Sequence, residues 1–320
     1  MSTAVEIDNL SYARRHPWTW RRTPTLEPFS ISIASGEAFG FLGHNGAGKT
    51  TTIKNILGLV TPTTGSITLF GIDNRDPSSR RPIGYVPENP YFYDHLRVGE
   101  AISLGAQLAG ICGGQVKKVV GDTLERVGLS SRHKSPLRTL SKGLLQRVAI
   151  GHALVSSPRL LILDEPFSGL DPIGRHEMRT LFEEERRSGT TLFLASHILN
   201  DVEALCDRVS IMVKGKLRGV FSCDDLGQHP SHGYELAIGA ALSSEDIAAV
   251  IDQPSAEFTC RRQRSLTVIT ITDEDQARKT LMRCLEKNLP IASFQQQHPT
   301  LEQLYLAIVD PSTARSEGRR

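Results

Sequence analysis

The stretch GHNGAGKT, Gly43 to Thr50, constrains this chain more than any other. Its spacing, GxxxxGK[ST], lets successive backbone N–H groups converge on phosphate oxygens at a helix N-terminus. The flanks agree with that reading. Ala38 to Leu42 is a short apolar run suited to a buried strand, and Thr50 to Leu59 carries helical periodicity up to the break at Thr61-Pro62. Strand, loop and helix therefore follow in the order a phosphate cradle needs. The cradle is expected from Gly43, His44, Asn45, Gly46, Ala47 and Gly48, continuing into Thr51. Lys49 suits the β- and γ-phosphates as a mobile point charge. The Thr50 hydroxyl suits Mg²⁺, an ion that takes few protein ligands beside phosphate oxygens. The competing reading of the stretch alone is a plain glycine turn between a strand and a helix.

A second signal lies downstream. The run LLILDEP, Leu160 to Pro166, puts Asp164 and Glu165 where a buried strand emerges. That is the place for a carboxylate facing Mg²⁺ beside one that orients and deprotonates an attacking water. Taken alone, the pair could equally cap the next turn. Between the two signals, Ser141 to Val155 reads as a helix opened by a serine cap and closed before Pro158. The Ser141 hydroxyl and the N–H groups after it form an anion site of their own, or simply an ordinary helix start.

The segment Leu140-Ser141-Lys142-Gly143-Leu144 resembles the signature motif of the ABC ATPase family, usually LSGGQ, at the expected place upstream of LLILDEP. Ser168-Gly169-Leu170-Asp171 is similar to the family's D-loop, and His197 in ASHIL to its switch histidine. GYVPEN, Gly84 to Asn89, resembles its Q-loop, with Glu88 where most members carry glutamine. A glutamate there can still join a Mg²⁺–water network, and PE at this place looks like the branch of drug, sodium or antibiotic exporters. The resemblance implies an α/β fold: a P-loop NTPase core of the ABC ATPase kind, with a helical subdomain over about 88–155 carrying the signature. It implies ATP and Mg²⁺ as ligands and a head-to-tail pair, a homodimer or two similar subunits. Each ATP would lie between one P-loop and the partner's Ser141, Lys142 and Gly143, with Asp171 communicating across the pair. It also implies hydrolysis driven by Glu165, His197 and Lys49, with Thr50, Glu88 and Asp164 around the metal, and docking on a separate membrane permease. Soluble family members that act on ribosomes or nucleic acid are the alternative; the long coiled-coil insertion or second ATPase half typical of them is not evident.

The adenine partner is harder to place. Family members stack an aromatic near the first strand, where this chain offers Tyr12, Arg14 or, within the insertion RRHPWTWRRTP, Trp18 and Trp20. The same tryptophans and arginines would suit lipid headgroups, or a solvated loop.

The resemblance covers about residues 5 to 225 and thins beyond. An ATPase domain is expected over 1–225, with a helix at Ile173 to Ser188, a strand at Thr190 to Ser196 and a hairpin at Arg208 to Val220 turning at Lys214-Gly215. The polar stretch Cys223 to Gly233 reads as a linker. A small α+β domain over 226–310 is expected, with strands at Tyr234 to Ile238, Leu266 to Ile271 and Ile291 to Phe294, and helices at Ser243 to Ile251 and Asp275 to Asn288. Thr300 to Val309 resembles a closing motif of C-terminal domains in the exporter branch, and 311–320 reads as a disordered tail. A formal charge of +2 lacks the single-sign excess of a dedicated nucleic-acid binder, so no nucleic-acid partner is expected. Five scattered cysteines, never spaced CxxC, argue against a disulfide framework or zinc. With neither a secretory leader nor a long apolar run, the expectation is a cytoplasmic chain, peripheral on the inner face of a membrane.

Overall fold

The computed structural model describes residues 2–15, 22–223, 233–251, 258–263, 265–297 and 300–309. Trp18, Trp20, most of the linker reading and the tail 311–320 lie outside the described residues. The chain divides into two units, Met1–Cys223 and Asp224–Arg320.

In the first unit, β1 (Thr3–Arg15), β2 (Arg22–Ala34), β4 (Thr64–Leu69) and β5 (Ile72–Asp73) form an antiparallel sheet of order β2-β1-β4-β5. A six-stranded sheet carries β3 (Ala38–Leu42), β6 (Ile83–Val86), β7 (Leu160–Asp164), β8 (Thr191–Ser196), β9 (Arg208–Val213) and β10 (Lys216–Ser222) in the order β10-β9-β3-β8-β7-β6. Only its β9–β10 hairpin is antiparallel. Every residue of β3, β7 and β8 is buried, as strands covered on both faces require, and their unbroken apolar text is the sequence form of that. Helix α1 (Lys49–Ile56) links the sheets: its Ile53 and Ile56 share one core with Ile7 and Ile67 of the first sheet and Phe39, Phe41 and Phe193 of the second.

The periodicity that suggested helix as far as Leu59 stops earlier. Gly58 adopts φ +66°, its N–H donates to Asn55 O at 3.0 Å, and Leu59 N–H donates to Lys54 O at 2.9 Å. This is a Schellman stop, and it turns Leu59 out to solvent. Helices α2 (Val98–Leu108), α3 (Gly114–Arg126) and α4 (Lys142–Leu154) pack on one another, and Ile102, Leu124 and Ile150 are buried, one on each. Helix α5 (Pro172–Arg187) follows β7 and α6 (Leu199–Leu205) follows β8.

The second unit runs β11 (Gly233–Ile238), α7 (Ser244–Val250), β12 (Phe258–Gln263), β13 (Leu266–Ile271), α8 (Glu274–Glu286), β14 (Ile291–Gln297) and α9 (Leu301–Val309). Its antiparallel sheet has the order β12-β13-β11-β14. A βαββαβ chain in that order is the ferredoxin-like split βαβ arrangement. Leu236, Ile238, Ile269 and Ile271 meet Ala277 and Cys284 of α8 in its core. The expected strands and helices lie in this unit; β12 was not foreseen, because all six of its residues are exposed and carry no apolar alternation.

Candidate functional site

The loop from Gly43 leaves the end of β3 and enters α1 with two glycines where no side chain fits. A Cβ on Gly43 would sit 2.6 Å from Met212 O. Gly48 holds φ +116°, and a Cβ there would meet Leu26 Cδ2 at 2.6 Å. Gly48 is also the N-cap of α1 and offers it no side-chain acceptor, so the first turn keeps its N–H groups and the positive end of its dipole for an anion. His44, Asn45 and Gly46 are exposed on the lip, while Ala47 and Lys49 are buried. Thr51 is half-buried and Thr50 exposed.

Lys49 Nζ donates to Gly43 O at 2.5 Å and lies 3.1 Å from Glu165 Oε1. The other oxygen of Glu165 is 2.8 Å from His197 Nδ1 and 3.5 Å from Ser196 Oγ. Glu165 is 6% exposed and is held at φ +50°, a left-handed backbone uncommon for a non-glycine residue. Its N–H donates to Ala195 O at 2.9 Å, which fixes it to the end of β8. Beside it, Thr50 Oγ1 donates to Asp164 Oδ2 at 3.0 Å. Three distant segments therefore converge: the loop, the end of β7 and the end of β8.

Asp164 is 2% exposed, and its Oδ1 has no hydrogen-bond partner among the described residues. Burial pushes its carboxyl up from 3.8 to about 6; the Thr50 hydrogen bond opposes this, and the charges of Glu165 and Glu88 add to it. Glu88 itself is exposed just past β6. A buried carboxylate with a spare oxygen and too little countercharge is a fit for a hard divalent cation. Among the described residues no cluster of three or more His, Cys, Asp or Glu is arranged to hold a metal, so such an ion would need oxygens brought by a phosphate ligand.

The folded protein holds the Asp164 proton more tightly than the unfolded chain. The cost of burying the carboxylate is therefore fully present above about pH 6 and disappears as pH falls below 4, an effect of about 3 kcal/mol. Asp164→Asn is expected to raise the melting temperature of ligand-free protein at pH 8 and to leave it unchanged at about pH 3, below the unfolded carboxyl's range. An equal shift at both pH values would show that another group carries the effect.

Ser141, Lys142 and Gly143 meet α4 and the loop that follows Glu165. Ser141 Oγ caps α4, accepting from Leu144 N at 3.3 Å. Lys142 Nζ donates to Ser168 Oγ at 3.1 Å, and Asp171 caps α5, accepting from Gly174 N at 2.7 Å. Tyr12 is half-buried against the first unit's core and lines a surface depression of about 460 Å³ with Ala13, Arg22, Val60, Thr61, Pro62 and Thr63, none of them in the glycine loop. Ser196 is the neighbour of Glu165 that motif reading passed over; its place next to His197 was the available signal.

A glycine loop between a parallel strand and a helix, with a buried aspartate and glutamate ending a strand of the same sheet, defines a P-loop nucleoside-triphosphate-binding protein. The ABC transporter family model matches residues 26–168. Over 211 residues the chain is 41% identical to an uncharacterised ABC transporter ATP-binding protein of Nostoc, a match covering 65% of this chain and 63% of that one. Over 292 residues it is 33% identical to the linearmycin resistance ATP-binding protein LnrL of Bacillus subtilis, covering 88% of this chain and 92% of that one. A solved ATP-binding subunit of an ABC transporter superposes with a TM-score of 0.63 at 32% identity, over 70% of this chain and 92% of that one. The chain belongs to the ABC transporter ATP-binding proteins.

Proposed function

We propose that the chain is the ATP-binding and ATP-hydrolysing subunit of an ABC transporter that powers export through a separate membrane permease. The observation that carries this is Glu165, held between Lys49 and His197 beside the Thr50–Asp164 pair. Residues 43–51 bind the triphosphate through backbone N–H groups, and Tyr12 is the proposed adenine partner. Lys49 exchanges Gly43 O and Glu165 for the β- and γ-phosphate oxygens. Freed of Lys49, Glu165 orients the attacking water and takes its proton, while His197 steadies the γ-phosphate. When bound, Mg²⁺ supplies positive charge at the phosphate oxygens; Thr50 and Asp164 would hold it, with Glu88 near its water shell. Most of the rate enhancement is positioning and charge stabilisation.

The contacts of Ser141, Lys142 and Gly143 within their own chain are with α4 and the loop at 168–170, which supports a shared site: through the Ser141 hydroxyl and the backbone N–H groups after it they complete the site of a second subunit in a homodimer or a pair of similar chains, with Asp171 at the junction. Residues 1–225 act as the nucleotide-binding domain, with a helical subdomain over about 88–155 and surfaces near residues 85–140 turned to the permease. Residues 226–310 form an accessory domain and 311–320 a tail. No helix among the described residues is long and apolar enough to cross a membrane. We place the chain on the cytoplasmic face, held there by its permease. Likeness to a linearmycin resistance subunit over most of its length supports the exporter branch.

The test is ATP turnover per chain over a dilution series spanning dimerisation. Turnover per chain that falls on dilution is expected. A constant value would remove the shared site, and no turnover at any concentration, with or without membranes containing the permease, would remove the ATPase reading.

A further inference from the structure

We propose that Lys142 is a positioning residue that transmits the state of the Ser141–Gly143 turn to Glu165 of the same chain; this rests on the ATPase reading above. The motif the segment resembles has glycine at this place, and glycine offers neither of the contacts Lys142 makes. Its stem lies over Gly169, where an added Cβ would come within 2.7 Å of Lys142 Cδ. Its ammonium donates to Ser168 Oγ at 3.1 Å. Ser168 in turn donates its N–H to Glu165 O at 3.1 Å, closing the turn that begins at Glu165. From the other side, Gly143 approaches Gly169 O closely enough that a Cβ on it would sit at 3.2 Å.

The connection is continuous: the first residue of α4, the Ser168 hydroxyl, the Ser168 amide, the Glu165 carbonyl, and the Glu165 carboxylate between Lys49 and His197. Further along α4, Arg147 donates to Glu177 of α5 at 2.5 Å and to Val127 O at 3.3 Å. That second attachment makes the N-terminal end of α4 a lever. With α4 anchored to α5 farther along, a shift of the Ser141 turn is delivered to the short loop 165–171 that runs from β7 into α5. Whatever binds at Ser141 therefore alters the angle at which Glu165 presents its carboxylate.

Steady-state ATP hydrolysis by the full chain tests this with four variants. Lys142→Met keeps the stem over Gly169 and removes the ammonium; Ser168→Ala removes its acceptor; the double variant removes both; Lys142→Arg keeps a donor. Lys142→Met and Ser168→Ala are each expected to lower kcat about fivefold with KM for ATP unchanged. The double variant is expected to be no worse than the poorer single, and Lys142→Arg to stay within about twofold of wild type. Wild-type kcat in both single variants would overturn the proposal. So would losses that multiply, or a rise in KM alone, which marks a nucleotide contact instead. Should Lys142→Met fail to fold, by its melting curve, Ser168→Ala and Lys142→Arg decide the matter. Absence of turnover in the wild type is a separate outcome that sinks the ATPase reading itself.

Discussion

In Glu165→Gln, ATP binding survives and hydrolysis falls by about 10²–10⁴-fold, the range for loss of a positioned general base. Glutamine keeps the size of the side chain and can still face His197, which lies 2.8 Å from Glu165 Oε2, but it cannot accept the proton of the attacking water. Its effect on Lys49 makes the prediction more specific. In the ligand-free protein Lys49 is 3.1 Å from Glu165 Oε1 and must give up that contact to reach a phosphate. The glutamine variant removes the competing charge, so its affinity for ATP is expected to match or exceed that of wild type. An uncleaved nucleotide would then hold two chains together, and size-exclusion chromatography in ATP should show a persistent dimer. Wild-type turnover in this variant would remove Glu165 from the role of base.

Lys49→Met is expected to abolish ATP binding and, less obviously, to destabilise the protein with no ligand present. Lys49 and Glu165 are 6% and 7% exposed at their side chains, and removing one partner of a buried pair leaves the other charged and uncompensated. The loss is about 3 kcal/mol, at the low end for such a pair because His197 remains beside the carboxylate. For a unit of this size that lowers the melting temperature by roughly 6–12 °C. Adding Glu165→Gln should restore most of the melting temperature without restoring ATP binding. A single variant that melts like wild type would show that the pair is not formed in solution.

Legibility from sequence followed the range of the interactions. β3, β7, α4 and α5 were readable because their signals are local: unbroken apolar runs, a serine cap at Ser141, a glycine stop at Gly189. The antiparallel sheet of β1, β2, β4 and β5 was not foreseen, since Ile7 pairs with Ile31 and Ile67 across the chain and register shifts interrupt the β1–β2 ladder. β12 gave no sign because neither of its faces is buried. At the site, the motifs named Lys49, Thr50, Asp164, Glu165 and His197 without saying that Glu165 bridges Lys49 and His197. Such a bridge depends on β3 and β7 both flanking β8, a fact of sheet order that no spacing reveals. Lys142 stood out in the text only as a departure from a pattern; its partner Ser168 came from the fold.

The position of β3 also sets when this protein can work during its own synthesis. Ala38 to Leu42 leaves the ribosome well before its two ladder neighbours, Leu192 to Ser196 and Arg208 to Ile211. Met212, which packs against both Gly43 and Gly48, arrives just after them. The nascent chain therefore carries the glycine loop without the walls that shape it until β8 and β9 are made, and nucleotide capture begins only once β9 has emerged. Nucleotide bound to stalled nascent chains of increasing length would appear abruptly at that point, marking completion of the first unit before the second has been made.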